Sequence, residues 1–165
     1  MDLFEMLFAR ALMASGSFAK EEPFGEILTY TCTGGENANN YLNKDSAGNP
    51  FRLKKLVMKV TLGDVSSASR MNMTVLSGEH TLGQAYSSYT ASGSSNVFTL
   101  AAEPDSGYWA TWQTAFGAGG PSAISKTPMY NYTDKVEDYP YIDSLRFSNT
   151  PLPAGTVIQI LGVRA

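Results

Sequence analysis

With 165 residues, 43% of them hydrophobic and 16% charged, the chain amounts to one self-supporting domain. That hydrophobic share excludes wholesale disorder. The charge deficit, against about a quarter in ordinary domains, is filled by 31 Ser and Thr, 15 Gly and 9 Asn, a mixture that suits short strands and polar turns and excludes a helical bundle. A net charge of −3 with no basic run disfavours nucleic acid as a partner; the densest cations, Lys54, Lys55 and Lys59, sit inside a strand pattern.

The predicted elements begin with a helix over 2–14. Leu3, Phe4, Leu7, Phe8 and Leu12 recur at helical spacing, Ala11, Met6 and Met13 widen the stripe, and Asp2, Glu5 and Arg10 keep to one arc. Ser15-Gly16-Ser17 breaks it, so residues 1–17 form an apolar helix and joint, and residues 18–165 form the domain proper. The early charges are negative and Arg10 interrupts the apolar run, so the segment is expected to be neither an export signal nor a membrane span. The protein is therefore expected to be made in a cytoplasm, with no membrane insertion. Such a helix must bury itself, either on its own domain or on a copy or neighbour.

From about residue 25 the pattern changes to period two. Strands are predicted over Ile27–Thr33, Leu53–Leu62, Met71–Leu76, Asn96–Ala101, Gly107–Thr114, Ser144–Ser148 and Thr156–Val163. The clearest, Leu53–Leu62, sets Leu56, Met58, Val60 and Leu62 on one face. The last is apolar on both faces, as a strand buried on both sides would be. Gly34–Pro50 and Phe116–Asp138 read as loops, the second long enough to suggest function. Seven or eight short strands without a helical period among them predict a mainly β fold, an antiparallel β-sandwich of jelly-roll type preceded by one short helix.

The catalytic inventory is thin. Cys32 is the single cysteine, which excludes an intramolecular disulfide and a multi-cysteine metal site, and its strand setting predicts a buried thiol. His80 is the single histidine and reads as a surface residue in a Ser77–Thr81 turn. Paired carboxylates, Glu103 with Asp105 or Glu137 with Asp138, are the only hint of glycoside hydrolysis, and sequence neighbours rarely face each other across a sugar. Asp134, Glu137, Asp138 and Asp143 would suit calcium by chemistry, but their spacing fits no EF-hand and a solvated acidic loop is the plainer reading. Gly117–Pro121 is glycine-rich without a following helix signal, so a phosphate cradle is not expected. Asn72-Met73-Thr74 and Asn131-Tyr132-Thr133 match a glycosylation pattern that carries no weight without export. No catalytic residue, cofactor or metal is assigned.

The aromatic residues are more telling. Tyr108, Trp109 and Trp112 share one strand-like run, and Tyr130, Tyr132, Tyr139 and Tyr141 crowd the acidic loop. Alternation puts Tyr108 and Trp112 on one face and Trp109 on the other, so one set belongs to the core and the other is free to stack on a sugar ring or a protein partner. Trp109, Trp112, Tyr130 and Tyr132 are the candidate ligand-binding residues.

The opening Met1–Leu12 followed by Ser-Gly-Ser, and the close Ile142–Phe147 with Leu152-Pro153-Ala154-Gly155-Thr156 running into Val163, together resemble virion fibre proteins of phages and prophages of Gram-positive bacteria, whose jelly-roll heads are similar to carbohydrate-binding modules. The resemblance covers about a third of the chain. It implies a non-enzymatic virion subunit in which the helix (Leu3, Phe4, Leu7, Phe8, Leu12) docks or trimerises the protein, while the sandwich meets cell-surface glycan or other virion proteins. Without a collagen-like repeat or heptad stalk, a small head-fibre, decoration or baseplate subunit fits better than a long fibre. Closed trimers follow from the resemblance, although cyclic dimers are commoner in general. The alternatives are a stand-alone carbohydrate-binding or adhesin module and, third, a sandwich-fold glycoside hydrolase.

Overall fold

The computed structural model describes residues 24–37, 39–63, 69–89, 97–116, 127–128, 134–147 and 152–165. The expected helix with Leu3, Phe4, Leu7, Phe8 and Leu12 lies outside them, as do Tyr130 and Tyr132. Among the described residues there are ten strands and no helix: β1 (Gly25–Thr31), β2 (Tyr41–Leu42), β3 (Leu53–Thr61), β4 (Ser69–Ser77), β5 (His80–Tyr89), β6 (Val97–Asp105), β7 (Tyr108–Phe116), β8 (Thr127–Pro128), β9 (Ser144–Phe147) and β10 (Val157–Arg164). No described helix is long and apolar enough to cross a membrane.

The strands form two sheets in which every pairing is antiparallel. The six-stranded sheet has the order β1-β10-β3-β6-β7-β8, and the four-stranded sheet the order β2-β9-β4-β5. All seven predicted strands are present. Three others escape the sequence pattern. β5 is an edge strand whose sequence, HTLGQAYSSY, has few apolar positions to alternate. β2 and β8 have two residues each, too few to show a period.

Period two explains the core. Leu56, Met58 and Val60 of β3 and Ile158 and Ile160 of β10 point inward at 0–1% exposure, and Met73, Val75, Leu82, Leu145 and Phe147 enter from the four-stranded sheet. All belong to one hydrophobic cluster, so the two sheets share a core. β10 lies between β1 and β3, which accounts for its apolar residues on both faces. Two tight hairpins follow from local sequence. Ser106 and Gly107 both have positive φ and link β6 to β7, the backbone of a type I′ turn, while Gly78-Glu79 links β4 to β5 with only the glycine at positive φ.

Just beyond β1 a carboxylate is built into the structure. Glu36 is 4% exposed. Its Oε1 accepts from the Tyr30 hydroxyl (2.9 Å), the Thr33 N–H (2.7 Å) and the Thr33 hydroxyl (3.0 Å), and its Oε2 accepts from the Gly34 N–H (3.0 Å). Burial alone would raise this carboxyl, but the hydrogen bonds outweigh it and hold it at about 2, down from 4.5. The folded value lies below the ordinary one, so the stabilisation is whole above pH 4.5 and disappears as pH falls through about 2. Glu36→Gln is expected to be less stable than the parent by about 1–2 kcal/mol at pH 7, after discounting for solvent screening. That gap should close between pH 4.5 and 2 in thermal melts. A gap that stays constant with pH would show that the charge plays no part. Beside this site, burial first and the Glu36 charge second push the Cys32 thiol up to about 12, which makes it an inert core group.

Candidate functional site

The acidic segment 134–143 fastens to both hairpins. On the β6–β7 side, the Trp109 N–H donates to the Asp134 carbonyl (2.9 Å) and the Val136 N–H to the Gly107 carbonyl (2.9 Å), with Tyr108 and Lys135 paired as a bridge. The indole Nε1–H of Trp109 donates to the Tyr139 carbonyl at 2.6 Å. On the β4–β5 side, His80 Nε2 lies 2.9 Å from Asp134 Oδ1, and the His80 ring stacks on Tyr139 with centroids 3.9 Å apart and planes within 5°. The Gly78 N–H donates to Asp143 Oδ2 (2.5 Å), and the Asp143 N–H to the Leu76 carbonyl (3.1 Å). Ile142, fully buried, exchanges two backbone bonds with Leu53.

This geometry corrects two expectations. His80 is not a turn residue: it opens β5 and is bound to a side chain 54 positions away. Trp109 is not a presented aromatic: at 2% exposure it belongs to the core cluster, and its ring faces are covered. Trp112 stands in register with Ala101 on one side and Pro128 on the other. The pleat puts its position on the strand face away from Trp109, as alternation requires. The acidic residues take separate partners: Asp134 has His80, Asp143 has Gly78 and Ser144, and Glu137 has Lys135 in an exposed pair at 3.2 Å that contributes about 0–1 kcal/mol. Among the described residues no group of three or more His, Cys, Asp or Glu is set to hold a metal ion. Glu103 and Asp105 are two apart on β6, at a strand end rather than across a cleft. What the junction does physically is clamp a polar segment across two turns.

A second feature lies on the opposite face of the four-stranded sheet from the core. Tyr41 of β2 pairs with Arg146 of β9, Arg146 with Thr74 of β4, and Thr74 with Gln84 of β5. Their neighbours Leu42, Leu145 and Val75 are buried in the core, so these four side chains form a row on the outer face. Tyr41, at 45% exposure, is the one large exposed hydrophobic side chain among the described residues. Arg146 was visible in the sequence as the polar residue between Leu145 and Phe147. Tyr41 was hidden in an Asn-rich loop pattern with no alternation around it. Compared with known protein families, curated proteins and solved structures, the chain matches none.

Proposed function

We propose that this chain is a non-enzymatic structural subunit of a phage or prophage virion, a jelly-roll sandwich preceded by an apolar assembly helix. The observation that carries the reading is strand order. Leaving aside β7 and β8, which extend one sheet, the two sheets run β1-β10-β3-β6 and β2-β9-β4-β5. The chain thus alternates between sheets so that each early strand receives a late one beside it, the nesting of two Greek keys that defines a jelly roll. Jelly rolls recur in viral capsid and lectin domains. The apolar stripe Leu3, Phe4, Leu7, Phe8 and Leu12 supports assembly, because a helix with so wide an apolar arc needs a covering partner. The sandwich then meets glycan or neighbouring virion proteins, and the protein resides in the virion.

Light scattering on the full chain is expected to give a trimer, three times the 17.8 kDa chain mass. Removal of residues 1–17 is expected to return it to monomer without loss of the β circular-dichroism signal. A full-length monomer would overturn the assembly role. In that case the reading passes to a stand-alone carbohydrate-binding or adhesin module.

A further inference from the structure

The outer face of the six-stranded sheet is buried where a sheet facing water would be wet. Leu56 and Met58 point into the core, so the pleat turns Val57 of β3 to the opposite side, in register with Leu161 of β10 and position 101 of β6. Val57 is nevertheless 1% exposed. On the same face Val163 of β10 is 6% exposed and Ala110 of β7 is 2% exposed, and none of the three belongs to the cluster between the sheets. Lys55 and Lys59 flank Val57 along β3, and their stems shield part of it. An antiparallel sheet with one solvated face keeps such positions partly in water, so a further layer lies over this one. That layer reaches from β10 across β3 and β6 to β7, about 14 Å at the usual strand spacing.

We infer that the cover is the N-terminal segment of the same chain, with the apolar helix over 2–14 lying across Val163, Leu161, Val57 and Ala110. Its length fits: such a helix is about 20 Å long, enough to cross four strands. Its attachment fits as well. The segment leads into β1 at Gly25, and β1 lies beside β10, so the chain enters the face from the side where the burial begins. Residues 15–23 extend to about 30 Å, ample for the turn back over the sheet. The composition of the other stretches outside the described residues does not suit the role. Residues 64–68, 90–96, 117–126 and 148–151 hold only Val65 and Ile124 as large apolar side chains. Residues 129–133 are tied to β7 at both ends, through Pro128 to Trp112 and Asp134 to Trp109, and five residues do not reach β10 and return. The lysines on either side of Val57 suit Asp2 and Glu5 of the helix. The inference rests on the helix proposed above and adds its seat. Leu3 to Leu12 spread over about half the helix circumference, wider than the stripe of about 100° that one packed face takes, so part of the arc is left for other copies.

Two measurements on the full chain test the seat. Val57→Thr keeps the β-branch, so on an open face it is close to neutral, whereas under a cover it buries a hydroxyl. It is expected to lower the Tm of the parent by about 3–6 °C. In a variant whose stripe is removed by Leu3→Ser, Leu7→Ser and Phe8→Ser together, the same change is expected to cost less than about 1 °C. Equal shifts in the two backgrounds would overturn the docking. Photo-crosslinking gives a second reading that does not need the stripped variant to fold. Leu161→p-benzoylphenylalanine places the reactive ketone at a half-buried position of the face. On irradiation it is expected to join a peptide from residues 1–17, with the product running at the mass of one chain on a denaturing gel. A product of two-chain mass would give the face to a neighbouring copy, and a join to another segment, or none, would take the helix off it; each overturns the inference. Light scattering judges the assembly role separately. A monomer with the one-chain join keeps the docking and ends the assembly role, and a trimer without that join does the reverse.

Discussion

Trp109→Ala is expected to lower the unfolding free energy by about 3–5 kcal/mol, the range for truncating a buried aromatic side chain. In a domain of this size that is a fall of about 6–20 °C in Tm. The indole is 2% exposed and fills the core where the six-stranded sheet meets segment 134–143. Two losses combine, the cavity and the orphaned Tyr139 carbonyl, and Trp109→Phe separates them. Phenylalanine keeps most of the volume but cannot donate, so its cost should be the smaller one, about 1–3 kcal/mol. Urea unfolding followed by far-ultraviolet circular dichroism measures both. If alanine cost less than about 1 kcal/mol, Trp109 would not be a core side chain and the clamp over the hairpins would have to be redrawn.

Gly63→Ala is expected to destabilise by about 1–3 kcal/mol for a quite different reason. Gly63 follows β3 and lies against the Ala154–Thr156 turn that leads into β10. A Cβ placed there would come 2.2 Å from the Ala154 carbonyl oxygen, 2.8 Å from Gly155 C and 2.9 Å from the Thr156 nitrogen. All three atoms are backbone, so no rotamer change relieves the clash. The Gly63 N–H also donates to the Thr156 hydroxyl at 3.1 Å, a bond that any outward shift would break. Gly25→Ala is the matched control. Nothing lies within 4 Å of its added methyl, and its effect should stay within about 0.5 kcal/mol. Equal melting temperatures for the two variants would mean that the β3 end and the turn before β10 are not in contact.

The strands legible in the sequence are those with one face in the core. Leu56, Met58 and Val60 announce β3 because burial selects apolar residues at every second position. β5 escapes the pattern for the converse reason: it is an edge strand that pairs on one side only, and its sequence, HTLGQAYSSY, offers few apolar positions to alternate. Alternation puts positions 109 and 112 on opposite faces of β7, but which face is inside depends on the second sheet, which no local pattern contains. The junction was less legible still. His80 and Asp134 are ordinary polar residues until two hairpins and a loop converge, and Tyr41 meets Arg146 only because β2 and β9 pair across most of the chain. Long-range register, rather than residue type, makes both arrangements.

The position of β10 between β1 and β3, and of β9 between β2 and β4, has a consequence for how the protein is made. A ribosome adding about 5–20 residues per second needs about 5–20 s to cover the roughly one hundred residues between Thr61 and Val157. Throughout that interval β1 and β3 have no strand to join them, and β2 and β4 have none until β9 is made near its end. The hairpins β4–β5 and β6–β7 are the parts whose pairing is local, so they are free to form at once and to wait. The nascent chain therefore leaves the ribosome with open strand edges that other nascent copies can pair with, and the sheets close only when the late strands slide into the two gaps left for them.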